Sequence, residues 1–281
     1  MNPTQRTIIL LGVLTALLVI FGYFISGTGG AIIFLILAIM MNIGSYWFSD
    51  KIALSMANAK PLSSQQAPAL YQDVGELCQR IGIPMPKLYY TEDVQPNAFA
   101  TGRNPENSAV VITRGLLSVL NRDEVRGVLA HEMAHIKNRD VLISTVAAVM
   151  AGAISSLANL ALFFGGNDRN GDGVNDRNPI AELLFVILSP IAALLIQFAV
   201  SRAREFQADT SAGQYTGRPQ DLANALIKID QASQQTPYVD ANPALSTLFI
   251  ANPFRTDAIL NLFSTHPPIP QRVERLMSMQ K

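Results

Sequence analysis

The 281-residue chain has a single cysteine, Cys78, and only three histidines. One cysteine excludes an internal disulfide and any cysteine-based zinc site. Charge is also scarce. Asp, Glu, Lys and Arg make up 15% of residues and cancel to zero net charge, where about 25% charged residues is usual for soluble proteins. Such a balance offers no basic surface for nucleic acid, so none is expected as a partner. Internal repeats and low-complexity segments are absent. Hydrophobic residues reach 49%, and the mean hydropathy is positive. This places part of the chain in a lipid bilayer.

Four stretches approach the ~20 apolar residues that a spanning helix needs. They run from Ile8 to Ser26, Ala31 to Phe48, Val141 to Phe164 and Leu183 to Val200, and none contains Asp, Glu, Lys or Arg. The first exceeds the roughly 7–15-residue core of a cleaved signal peptide, and no convincing small-residue cleavage site follows it. The last is interrupted by Pro190 and carries Gln197, both tolerable where neighbouring helices satisfy the freed polar groups. Basic residues near the span ends set the orientation. Arg6, Lys51, Lys60, Arg126, Lys137, Arg139, Arg202 and Arg204 share one side, against Arg169 and Arg177 on the other. Residues 1–48 are therefore expected to hold spans one and two. Residues 141–200 would hold spans three and four around a short extracytoplasmic loop, 165–180. Residues 49–140, residues 201–281 and both termini are expected to be cytoplasmic. Within that loop, Asp168 to Gly173 resembles half of an EF-hand. Its twelfth position is Pro179 instead of a bidentate glutamate, so a solvated turn is expected.

The soluble segments read as mixed structure. A helix is expected from Ser64 to Arg80, ended by Gly82 and Pro84, with Leu70, Val74, Leu77, Cys78 and Ile81 on its apolar face. Short strands follow at Lys87–Thr91 and Ala109–Thr113. A helix near Asp221–Gln231 and an amphipathic helix from about Gln271 complete the chain.

The chemistry lies at His131-Glu132-Met133-Ala134-His135. Two histidines four residues apart share one helix face and can reach one metal ion, with the glutamate beside the site. A chain this long shows that pattern by chance roughly once in a hundred cases. Here two of the three histidines fall in the one turn. Asp123 and Glu124 open the helix, and Val125, Val128, Leu129 and Ile136 follow at helical spacing. Catalytic zinc takes three protein ligands and leaves one position for water. Glu205 is the preferred third ligand, with Asp209 one turn on to orient a ligand histidine. His266, held between Thr265 and Pro267-Pro268, is the alternative. Exactly two spans separate the His-Glu motif from Glu205, so both lie on one side of the bilayer. Glu132 is the expected general base and later proton donor. Arg202, Tyr215 and His266 are candidates for an oxyanion donor.

The sequence resembles the HtpX family of membrane-bound zinc metalloproteases, whose wider relatives include the CAAX prenyl endopeptidases. The likeness rests on His131-Glu132-x-x-His135, Asp140, Ser201-Arg202-x-Arg204-Glu205-x-x-Ala208-Asp209, Asn97-Ala98-Phe99-Ala100-Thr101-Gly102 and Thr265-His266-Pro267-Pro268. With the four spans it covers essentially the whole chain. The resemblance implies a mainly α membrane protein, with four transmembrane helices and a cytoplasmic α+β zincin-like domain. It implies a stress-induced endopeptidase of the bacterial cytoplasmic (inner) membrane that acts on membrane or misfolded proteins. One Zn2+ per chain would sit on His131, His135 and Glu205, with Glu132 catalytic. The segment at Asn97 would bind substrate as an added strand. Two rivals share parts of the pattern. An intramembrane or prenyl-protein-type metalloprotease is one alternative, and chemistry within the membrane is disfavoured by Arg122, Asp123, Glu124, Arg126, Lys137, Arg139 and Asp140 flanking the motif. A divalent-metal transporter would place its ionisable groups inside the spans, which have almost none.

Overall fold

The structure is a computed structural model that describes residues 3–152, 201–235, 248–250 and 267–279. The chain begins with α1 (Pro3–Met56), a helix broken only at Ser26 and Gly27, where φ is −147° and +56°. Within it, Thr7–Phe24 and Ser26–Met56 are each long and apolar enough to cross a membrane. The four-residue loop expected between these spans is thus a pivot of two residues. Glycine is required there, because its φ is one that side chains rarely adopt.

The two arms of α1 meet closely. A Cβ on Gly22 would lie 2.5 Å from the Gly30 carbonyl oxygen. Leu10, Leu14, Leu18 and Ala38 face inward and pack on α5 (Val141–Gly152) through Ile143, Val146, Ala147 and Met150. The opposite side of α1 exposes Ile8, Phe24, Ile32, Ile33 and Met40, an apolar surface suited to lipid. Asn42 Nδ2 donates to Thr15 Oγ1 across the hairpin at 2.9 Å, a polar link among apolar neighbours. The fourth expected span, the rest of the third and the loop 165–180 lie outside the described residues.

A small mixed sheet follows. Its strands are β1 (Lys60–Pro61), β2 (Lys87–Thr91), β3 (Ala98–Asn104) and β4 (Asn107–Thr113), in the order β1-β2-β4-β3. β2 and β4 are parallel, and the outer pairings are antiparallel. The motif at Asn97–Gly102 therefore becomes β3, an edge strand. Alternation sorts its side chains. Ala98 and Ala100 enter the soluble core, whereas Phe99 joins Ala53, Val111 and Ala148 on the face toward α1 and α5.

The soluble core is built by α2 (Pro68–Ile81), α3 (Arg114–Val119), α4 (Arg122–Lys137), α6 (Arg202–Thr216), α7 (Pro219–Gln235) and α8 (Ile269–Ser278). α2 ends at Gly82, in the left-handed conformation at φ 73°. α4 starts with a capping box between Asn121 and Glu124, which satisfies two of its free amides. Arg122 and Arg126 reach the buried Asp73 of α2 at 2.9 and 3.3 Å. Gly127 lets α7 approach, since a Cβ there would lie 2.9 Å from the Leu222 nitrogen. Together these contacts fix the rotation of α4, and so the direction in which its histidines point.

Candidate active site

α4 presents His131 and His135 to α6, with their Nε2 atoms 3.2 Å apart. Glu205, in the first turn of α6, places Oε1 3.4 Å from His135 Nε2 and Oε2 3.7 Å from His131 Nε2. The three ligand atoms lie within 4.8 Å of one another. Two ligands about 2.1 Å from a tetrahedral ion would stand about 3.4 Å apart, so the donor set and its spacing fit a divalent metal.

Each imidazole is held from behind by a carboxylate. His131 Nδ1 is 3.0 Å from Asp209 Oδ1, and His135 Nδ1 is 3.4 Å from Asp140 Oδ2. Such contacts fix the tautomer that leaves Nε2 free to bind metal. The chain turns sharply after α4, with Arg139 at φ 59° and the Asp140 amide bonded back to the His135 carbonyl. That turn brings Asp140 under His135. Arg204 Nη1 backs Asp140 at 3.3 Å. Arg272 of α8, wholly buried, forks onto Asp209 at 2.7 and 2.8 Å and donates to the Ile250 carbonyl at 2.7 Å.

Burial pushes the Glu132 carboxyl up to about 7. Burial likewise holds His131 below the ordinary imidazole value. For His135 burial is outweighed by Glu205 and by the bond to Asp140, and its value rises to about 9. Burial opposes ionisation of Asp209, but the Arg272 guanidinium beside it brings the carboxyl down to about 2. The Glu132 Oε2 accepts a hydrogen bond from the Ala100 amide of β3 at 2.9 Å. That amide points away from β4, on the outer side of the sheet among the described residues.

The remaining expected residues are placed as follows. Asn97 is buried just before β3, and its Oδ1 accepts from the Ile250 amide at 3.0 Å. Arg202 is exposed. Tyr215 packs on the soluble core, and its carbonyl accepts from Arg80. Neither lines the cavity at the ligands, whereas Arg204 does. His266 lies outside the described residues. Sequence reasoning gave Asp140 and Arg204 no role and missed Arg272 altogether. One signal for Arg272 was available: it occupies the apolar face of α8 with Ile269, Val273 and Leu276, where a charge needs a buried partner.

The model of peptidase family M48 matches residues 64–280. The chain belongs to peptidase family M48. It is 48% identical to the protease HtpX homolog of Syntrophobacter fumaroxidans over 282 residues, covering 99% of this chain and 100% of that one. It is 50% identical to the protease HtpX homologs of Burkholderia thailandensis and Ralstonia nicotianae, over 98% of this chain and 96% of each relative. Among solved structures it resembles S. mikatae Ste24p, with a TM-score of 0.50 at 20% identity. That likeness covers 94% of this chain and 62% of the other, and it bears on the fold alone. The M48 chain is a metalloprotease, and its His-His-Glu cluster is the candidate site for its divalent metal.

Proposed function

We propose that this M48 protein is a zinc-dependent endopeptidase, anchored in the cytoplasmic membrane, that hydrolyses peptide bonds of membrane or misfolded proteins at the cytoplasmic face. The four-span organisation and a role in stress-linked quality control belong to the same reading. The observation that carries it is one constellation: three ligand atoms at metal spacing, Glu132 beside them, and the outer strand of the sheet hydrogen-bonded to Glu132. His131, His135 and Glu205 would hold the ion. Bound there, zinc supplies a Lewis acid and a water whose pKa is near neutral.

The chain's own groups supply the rest. Glu132 accepts a proton from the attacking water and returns it to the nitrogen of the leaving amine. A carboxyl titrating near 7 can do both. Asp209 and Asp140 hold the imidazoles in register. An extended substrate would add to the outer edge of β3, taking over the Ala100 amide that Glu132 holds in its absence, which suits cleavage of unfolded segments. The start of α4 carries an exposed ion pair, Asp123 with Arg218 at 3.0 Å, and this favours chemistry in water over chemistry within lipid.

The test is Glu132→Gln in the full-length, detergent-solubilised protein. It should keep about one zinc per chain and lose at least ~100-fold in cleavage of an unfolded protein such as casein. Undiminished cleavage would overturn the assignment. Zinc flux into proteoliposomes that survives the substitution would favour the transporter instead.

A further inference from the structure

The cavity at the ligands is small, ≈ 40 Å³, enough for an ion and a little water but not for a side chain. Beside it lies a cavity of ≈ 420 Å³. The two share Phe99, Leu248 and Phe249 as walls. The larger one sits on the α1 side of the sheet and is closed by Met56 and Ala57 at the end of α1.

Its polar wall groups nearest the sheet are already engaged. The Thr91 hydroxyl donates to the Ala57 carbonyl at 3.0 Å. The Thr113 hydroxyl reaches the Gln95 and Asn97 carbonyls at 2.7 and 2.9 Å. A polar group brought between Phe99, Leu248 and Phe249 would give up its hydration with these partners taken, which favours an apolar side chain there. Strand geometry indicates what arrives. Asn97 and Phe99 face this cavity, while Ala98 and Ala100 face the other side of the sheet. A peptide added along the outer edge of β3 alternates in the same way, so every second side chain is delivered to the Phe99 face.

The geometry points to this cavity as the pocket that selects substrates: it takes one large apolar side chain, of the Phe, Leu or Met class, from a peptide paired with β3. Glu92 and Asp93 at its rim outnumber Lys60 and disfavour an acidic side chain. This inference rests on the peptidase reading above.

The test compares the zinc-loaded full-length protein with Ala57→Phe, which fills the cavity from the α1 side without touching the metal residues. The substrates are peptides carrying Phe, Leu, Ala or Asp at each successive position. The unaltered protein should prefer Phe or Leu over Ala at one position by about 10- to 100-fold in kcat/KM, the equivalent of burying such a side chain. Ala57→Phe should erase that preference and leave the Ala peptide within about threefold of the unaltered rate. Leu248→Ala, which enlarges the pocket, should extend the preference to Trp. If the unaltered protein cleaves without preference at any position, or Ala57→Phe slows all peptides equally, the pocket assignment is overturned. An equal loss accompanied by release of a co-purified acyl chain would make it a lipid site instead. If the zinc-loaded protein cleaves none of the peptides, the peptidase reading fails and this inference with it.

Discussion

Arg272→Met removes a guanidinium that is wholly buried and bonded to both oxygens of Asp209, at 2.7 and 2.8 Å. Methionine fills much of the volume, so the perturbation is electrostatic. It leaves the Asp209 carboxylate buried with His131 as its remaining partner, and it frees the Ile250 carbonyl that Arg272 Nη1 had bonded. Breaking a buried pair from one side costs about 3–5 kcal/mol. In a chain of this size each kcal/mol lowers the melting temperature by about 2–4 °C, so a fall of about 6–20 °C is expected. The measurement is thermal unfolding of the solubilised protein in chelator, so that metal binding does not mask the loss. Adding Asp209→Asn to Arg272→Met should recover part of the fall, because the stranded charge goes with its partner. Zinc affinity of the single variant should drop about 10- to 100-fold, since Asp209 then no longer holds His131 firmly. A melting temperature within about 2 °C of the original, together with unchanged affinity, would refute a supporting role for Arg272.

Glu205→Ala and His135→Ala should each leave the folded protein with much less than one zinc per chain by elemental analysis. Full occupancy in Glu205→Ala would move the third ligand elsewhere, with His266 the first residue to examine. Asp209 is depressed from its ordinary 3.8 to about 2, so its contribution is full above the ordinary value and is lost as pH falls from about 4 to 2. The amount is about 2 kcal/mol, to be read from unfolding of the chelated protein, and it should vanish in Asp209→Asn. Gly22→Leu should destabilise the α1 hairpin by about 1–3 kcal/mol through overpacking. Its Cβ would meet the Gly30 carbonyl at 2.5 Å and Phe34 at 2.8 Å, whereas Gly12→Leu meets nothing within 4 Å and serves as the control.

Local signals carried much of the site. The His131–His135 spacing, the acids at the start of α4 and the Gly82 stop are interactions over three to five residues, and the structure reproduces each as a helix, a cap or a turn. The strands at 87–91 and 109–113 were legible from alternation, the second being extended to Asn107. What the sequence did not reveal is pairing at a distance. Nothing in the run Asn97–Gly102 states that β4 lies on one side of it and Glu132 of α4 on the other. Nor does local pattern show that β2 and β4 run parallel. Spans ending at Ser26 and starting at Ala31 leave four residues between them, where the structure needs a pivot of only two, Ser26-Gly27. Gly30 instead serves the close contact with Gly22. Arg272 is separated from Asp209 by 63 positions, and no spacing rule links them.

The same arginine explains how the site assigns roles among its carboxylates. Glu132, Asp140, Glu205 and Asp209 all lie close to the two histidines, and any of them could in principle compete for a dication. Two are already committed to arginines: Asp209 to Arg272 by a two-pronged bond, and Asp140 to Arg204. An acid so bonded would have to give up a charged partner to bind metal, and its charge is locally cancelled. Glu132 is bonded to the Ala100 amide, and its raised pKa marks a carboxyl that ionises with difficulty. Glu205 alone turns its two oxygens toward the two Nε2 atoms. The arginines hold Asp209 and Asp140 in position behind the imidazoles, and Arg272 also lies 4.0 Å from Glu205 Oε2, much farther than from Asp209. Removing either arginine should therefore loosen the choice of ligand as well as the fold, a consequence that a merely structural salt bridge would not have.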